Sequence, residues 1–172
     1  MNKVLGIVMG LSLAMALPAA AEPANLLGVF GNWTAYSSGT GSSLTCFVLS
    51  KPRATRPATA KRGPIYLMVS DWPSRKVKGE AQIVYGYQGN EKAAAALGVG
   101  GDKFTFFIRN SGKEGSAWLQ QLGDNERLIT SLQEHVSAVA SGVSMRGTKT
   151  SDTYSLSGFK DALDRAHAAC PM

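Results

Sequence analysis

The sequence predicts a mainly β domain, a sandwich or barrel of short strands carrying one short internal helix and one C-terminal helix. Three observations predict it. Several apolar segments alternate with the period of two expected of half-buried strands, and turn-forming segments such as SGTGSS, VGGD and NSGKEGS separate them. Two other stretches instead repeat their apolar residues at intervals of three and four, the spacing of a helix with one buried face.

The chain opens with MNKVLGIVMGLSLAMALPAAAEP. A positive charge at Lys3, an uncharged apolar run from Val4 to Leu17 and small residues at Ala19, Ala20 and Ala21 have the form of a secretory signal peptide. Residues 1–21 are therefore expected to be removed, leaving a single domain over residues 22–172 with Glu22 first. The apolar run is shorter than the roughly 20 residues a spanning helix needs, and no second run of that kind follows, so no transmembrane segment is expected. Export implies a periplasmic or secreted protein and an oxidising compartment, in which two thiols able to meet are usually joined.

The candidate strands are read in chain order. NWTAYS at residues 32–37 places Trp33 in the core, and LTCFVLS at residues 44–50 contains Cys46. IYLMVS at residues 65–70 and VKGEAQIVYGY at residues 77–87 follow. The second puts Val77, Ala81, Ile83, Tyr85 and Tyr87 on one face and Lys78, Glu80 and Gln82 on the other. GVGGD reads as a hairpin turn leading into KFTFFIR at residues 103–109, and VASGVSMRG at residues 139–147 is the last candidate strand. Between them, the segment from Asn125 to Glu134 reads as a helix with Asp124 as N-cap and Leu128, Ile129 and Leu132 on one side.

In the tail, Leu156, Phe159, Leu163, Ala166 and Cys170 share one stripe, with Ser155 or Ser157 available to cap the helix. Reactive thiols sit in electropositive, partly open surroundings, whereas Cys170 lies on the stripe that must face the body. Cys46 is the only other cysteine. A disulfide between Cys46 and Cys170, pinning the last helix to the strand that carries Cys46, is the expectation.

No pattern for a nucleotide, a metal or a catalytic triad is present. Two cysteines and two histidines, His135 and His167, lack metal-ligand spacing, so neither a metal nor a cofactor is expected. Ser157 and Lys160 have the S-x-x-K form of penicillin-recognising acyl-transferases. The Lys149-Thr150-Ser151 triplet that echoes K-T-G precedes them, however, in the reverse of that class's order, and a small serine hydrolase is only a remote alternative. Asp161 and Asp164 fall on the solvated side of the tail helix. No enzyme is expected.

One segment departs from the rest in composition. SKPRATRPATAKRGP carries Lys51, Arg53, Arg56, Lys61 and Arg62 with no acidic residue, and Pro52, Pro57 and Pro64 argue against regular structure. It reads as a long basic loop in a chain whose formal net charge is +6. An exported basic surface meets anionic lipid, cell-wall or host-surface groups rather than nucleic acid, and no aromatic residue interleaves with these charges to stack on bases.

Three stretches together resemble a known family: LGVFGNWTAYSSGTGSSLTCFVLSKP, KRGPIYLMVSDWP and RGTKTSDTYSLSGFKDALDRAHAACP are similar to the exported bacterial proteins of the invasion-associated locus B family. The resemblance implies an immunoglobulin-like β-sandwich with a C-terminal helix, residence in the periplasm or cell envelope, and an association with host-cell entry in some members. It implies no catalytic residues. Many members carry a further cysteine just after the first tryptophan strand, where this chain has Tyr36. Sequence and resemblance together lead to a non-enzymatic envelope or surface protein that binds an anionic partner, with a structural or stress-related periplasmic factor as the alternative.

Overall fold

A computed structural model describes residues 23–172, so the expected signal peptide lies outside the described residues. Among the described residues, eleven strands form one antiparallel sheet. In chain order they are β1 (Asn25–Phe30), β2 (Trp33–Ser38), β3 (Thr45–Ser50), β4 (Ala54–Arg56), β5 (Tyr66–Trp72), β6 (Val77–Val84), β7 (Ala95–Val99), β8 (Asp102–Ser111), β9 (Glu114–Leu119), β10 (Ser137–Val143) and β11 (Lys149–Ser155). Helix α1 spans Asn125–Glu134 and α2 spans Phe159–Ala169. The lateral order is β1-β2-β3-β5-β6-β9-β8-β7-β10-β11-β4, so among the described residues β1 and β4 are edges and the sheet does not close.

The sheet nevertheless folds over on itself. In a flat sheet β6 and β10 would lie about 19 Å apart, at roughly 4.8 Å per strand. The Tyr85 hydroxyl, one residue beyond β6, instead donates to the Ser141 carbonyl of β10 at 2.9 Å. The two halves therefore face each other as the layers of a sandwich. One continuous core fills the space between them, with Ala35, Val48, Leu67 and Ile83 from one half and Leu97, Phe104, Phe106 and Ala140 from the other.

Strand β8 shows how the alternating pattern produces this core. Phe104, Phe106 and Ile108 are buried while Lys103, Thr105, Phe107 and Arg109 are exposed. Gly100 and Gly101, both at positive φ, make the two-residue turn that joins β7 to β8, with Val99 paired to Asp102. The alternation expected for residues 77–87 holds within β6, where Ala81 and Ile83 are buried and Lys78 is exposed. The strand itself ends at Val84.

Helix α2 covers the end of the sandwich at β1, β2 and β3. Phe159, Ala162, Leu163 and Ala166 are its buried face. Phe159 meets the edge of the Trp33 ring at 4.8 Å between centroids, and Trp33 Nε1 donates to the Ser155 carbonyl. Neither expected serine caps the helix. The N-cap position is Gly158, whose left-handed φ of 87° brings the chain so near the β1–β2 turn that a Cβ there would lie 2.0 Å from the Phe30 carbonyl oxygen. Only glycine fits that approach, and the Ser155 hydroxyl accepts from the Ser157 amide instead.

Two covalent or polar links reinforce the same contact. Cys46 and Cys170 are joined in a disulfide, with their Cα atoms 5.9 Å apart. Asp71 lies directly across from Cys46 on β5, and His167 lies one helical turn before Cys170. His167 Nδ1 and Asp71 Oδ2 are 2.5 Å apart, while Asp71 Oδ1 accepts from the Gly79 amide at 2.8 Å. His167 is thus engaged with the sheet, and its side chain is largely buried.

Helix α1 has the expected bounds, with Leu128 and Leu132 buried and Ile129 half-buried. Asp124 occupies its N-cap position but makes no capping hydrogen bond. A one-turn 3-10 helix at Leu122–Asp124 leads directly into α1, so Asp124 already has helical φ and ψ, and its carboxylate accepts from Arg127 at 3.2 Å.

The two halves of the α2 attachment are separable. Cys170→Ser is expected to cost about 2 to 5 kcal/mol, because the bond closes a long loop, while leaving the apolar face to keep the fold. Leu163→Ala, with the disulfide retained, is expected to cost about 2 to 4 kcal/mol through the cavity it leaves. Denaturant melts of both variants check this, and an unchanged midpoint for Cys170→Ser in protein with a fully formed wild-type disulfide would refute it.

Candidate functional site: a basic cleft

The basic segment is neither wholly irregular nor wholly solvated. Ala54–Arg56 forms β4, an edge strand paired with β11 through Ser151↔Arg56, Asp152↔Thr55 and Thr153↔Ala54. Its prolines flank the strand rather than interrupt it: Pro52 precedes β4 and Pro57 follows it, which is where an edge strand tolerates a residue without an amide hydrogen. Lys51, Arg53, Arg56 and Lys61 are exposed. Arg62 is not.

The Arg62 side chain is 4% exposed and forms a two-pronged ion pair with Asp152 of β11, whose side chain is wholly buried. The expectation that all five cations face solvent is corrected here. Asp152 is the cause: a buried carboxylate needs a partner that satisfies both oxygens, and a guanidinium has the matching fork. Burial works against the charge on Arg62, yet the hydrogen bond and charge of Asp152 outweigh it and hold the guanidinium above its ordinary pKa. No local pattern signals this pairing, since 90 residues separate the partners.

Three tyrosines surround the ion pair. Tyr85 and Tyr87 are stacked at 5.4 Å, and Arg62 lies 5.7 Å from the centroid of the Tyr87 ring. The Tyr87 hydroxyl meets Thr150 Oγ1 at 2.6 Å. The Tyr154 hydroxyl has no hydrogen-bond partner among the described residues. Burial pushes the Tyr85 and Tyr154 hydroxyls well above the ordinary tyrosine range, reinforced by the nearby Asp152 charge.

Above this buried cluster lies an open cleft of about 470 Å³. Lys61, Arg62, Lys113 and Arg146 line it, together with Tyr87 and Gln88. Lys113 and Arg146 come from two hairpin turns far away in sequence, the β8–β9 turn and the β10–β11 turn. The segment just after β6 gathers all three basic loops. The Gly63 amide donates to the Gly86 carbonyl at 2.8 Å, the Met145 amide donates to the Gln88 carbonyl at 2.9 Å, and the Gln88 side-chain amide donates to the Gly112 carbonyl. Residues 86–88 thus position a ring of cations that no stretch of sequence displays. Among the described residues, Lys61, Lys113 and Arg146 make no ion pair, although the carboxylate of Glu114 lies close to Gly63.

The other candidate residues are not brought together. Ser157 is exposed, and the Lys160 amine pairs with Asp164 at 2.5 Å on the outer side of α2. His135 is exposed, with Nδ1 2.9 Å from the Ser131 carbonyl. Among the described residues no group of three or more His, Cys, Asp or Glu is placed to hold a metal ion, and no helix is long and apolar enough to cross a membrane.

Two expectations follow from the buried cluster. Asp152→Asn leaves the Arg62 charge buried without a counter-ion and should cost about 3 to 5 kcal/mol, whereas Arg62→Met combined with Asp152→Leu should recover much of that loss. Equal melting temperatures for wild type and Asp152→Asn would refute the first. The raised tyrosine values mean that the folded chain keeps protons the unfolded chain gives up near pH 10. Stability from these groups is therefore complete below about pH 10 and is lost as pH rises beyond it. Phenolate absorbance should show Tyr85 and Tyr154 ionising only as the protein unfolds, and ionisation of all five tyrosines in the folded state would contradict it.

No protein-family model matches the chain, and no curated protein sequence matches it. Among solved structures, the crystal structure of invasion associated protein B from Bartonella henselae matches with a TM-score of 0.54 at 15% sequence identity. The match covers 83% of this chain and 96% of that one. At this identity the likeness is one of fold, and the mainly β architecture with its C-terminal helix is the fold that this chain shares with invasion associated protein B.

Proposed function

We propose that the protein is an exported, non-enzymatic envelope or surface protein whose basic face binds an anionic partner. The observation that carries this reading is the gathering of Lys61, Lys113 and Arg146 around one cleft without an ion pair among them, next to the exposed Lys51, Arg53 and Arg56. Like charges held close together repel, and an arrangement that keeps them unpaired stores attraction for a counter-charge. The fold shared with a protein named invasion associated protein B fits a surface role, and the leader-like first 21 residues support a periplasmic or secreted location. The partner class is an anionic envelope or host-surface group.

The role is tested by replacing Lys51, Arg53, Arg56 and Lys61 with glutamine and leaving the buried Arg62 in place. Association with anionic vesicles or cell-wall polymers is expected to weaken, most clearly at low salt, with the melting temperature nearly unchanged. Undiminished association would instead favour a structural or stress-related envelope factor without a dedicated ligand.

A further inference from the structure

We infer that the cleft framed by Lys61, Lys113 and Arg146 is a binding pocket for a phosphoryl group, carried either by a lipid headgroup or by a soluble phosphorylated compound. This inference rests on the anionic-partner reading and sharpens it from a basic surface to one pocket with one chemistry.

Four features support a compact, multiply charged anion. First, the cations converge from three separate loops onto a cleft of about 470 Å³, a size suited to a small ligand rather than to a polymer lying along a flat surface. Second, a single carboxylate would neutralise only one of three unpaired charges, whereas a phosphomonoester or pyrophosphate presents at least two charges and several acceptor oxygens. Third, Arg146 offers the planar fork that grips such oxygens in pairs, and the two lysines add mobile point charges. Fourth, the aromatic residue of the cleft is already engaged. Tyr87 stacks on Tyr85 and also receives the Arg62 guanidinium, so its ring is committed within the protein rather than free to stack on a sugar. The cleft recognises charge.

Arg62 is a positioning residue here. Both of its terminal nitrogens are held by Asp152, and that pair fixes the loop from which Lys61 projects. Gln88 performs the same task on the other side, joining the turn of Arg146 to the turn of Lys113.

The experiment compares the wild-type protein with a cleft variant, Lys113→Gln with Arg146→Gln, and a loop variant, Lys51→Gln with Arg53→Gln and Arg56→Gln. Both replace exposed side chains that make no ion pair among the described residues, so both should fold, which thermal melting verifies. Inorganic pyrophosphate is titrated calorimetrically, and phosphatidylcholine vesicles with and without phosphatidic acid are sedimented with each protein. Binding to at least one phosphoryl probe is expected, with a loss of about tenfold or more in the cleft variant, or roughly 1.4 kcal/mol, and a clearly smaller loss in the loop variant. Pyrophosphate alone binding identifies a soluble ligand, and phosphatidic acid alone identifies a membrane headgroup. Retention of both by the cleft variant while the loop variant loses vesicle capture overturns the pocket but leaves the anionic-surface reading standing. Failure of the wild-type protein to bind either probe overturns the pocket, and if it also ignores all anionic polymers, the broader reading falls with it.

Discussion

The structure depends on the attachment of α2 to the sheet. Among the described residues the sheet folds over on itself with β1 and β4 at its edges, and the apolar residues at the β1–β3 end need a cover. Helix α2 supplies it with Phe159, Ala162, Leu163 and Ala166. The attachment is doubled in register: Cys46 and Asp71 face each other on neighbouring strands, and Cys170 and His167 lie one turn apart on the helix. Each strand therefore holds the helix by one link. A disulfide across 124 residues removes much of the freedom of the unfolded chain, by about 4 to 5 kcal/mol in the chain-entropy picture. The polar link contributes differently, since Asp71 also binds the Gly79 amide and so ties the helix to β6.

A second constraint fixes how the two halves of the sheet meet. Tyr85, Tyr87 and Arg62 project from the chain on either side of β5 and β6, and their partners Ser141, Thr150 and Asp152 lie on β10 and β11. Apolar packing alone would tolerate sliding of one layer over the other. Directional bonds between buried groups do not, because a slip of one residue would leave a charge or a hydroxyl unsatisfied. The same residues carry the floor of the cleft, so the geometry of the basic rim is inherited from a buried network rather than from the loops alone.

Much of the fold was legible where side-chain size and period agree. In β8, large apolar residues alternate with polar ones, and in α2 every buried residue falls on one stripe. Other strands were not apparent because their inward residues are small or polar. β7 is a run of Ala95, Ala96 and Leu97 with no alternation, and β9 turns Gly115 and Ala117 inward. β11 buries Thr150 and Asp152 beside Tyr154, and as a string of letters it looks like a polar loop. β1 and β4 are edges, each defined by one neighbour. The cleft was only half visible. Local charge density marked Lys61, but Lys113 and Arg146 are single cations in glycine-containing turns, and nothing in the order of the residues says that three loops will converge.

Among the described residues the helix that covers the sandwich follows every other element, and the surfaces it covers belong to β1, β2 and β3. Completion of the fold therefore brings together segments from opposite ends of the described residues. Contacts of such sequence separation form slowly, because the entropy of closing the loop is spent before the contact rewards it. Until Phe159 reaches Trp33 and Cys170 reaches Cys46, the β1–β3 end of the core stays open to solvent however well the middle strands have paired. A chain interrupted before Cys170 would lack the bond that holds this cover in place, and the vulnerable interval of its folding is the wait for α2.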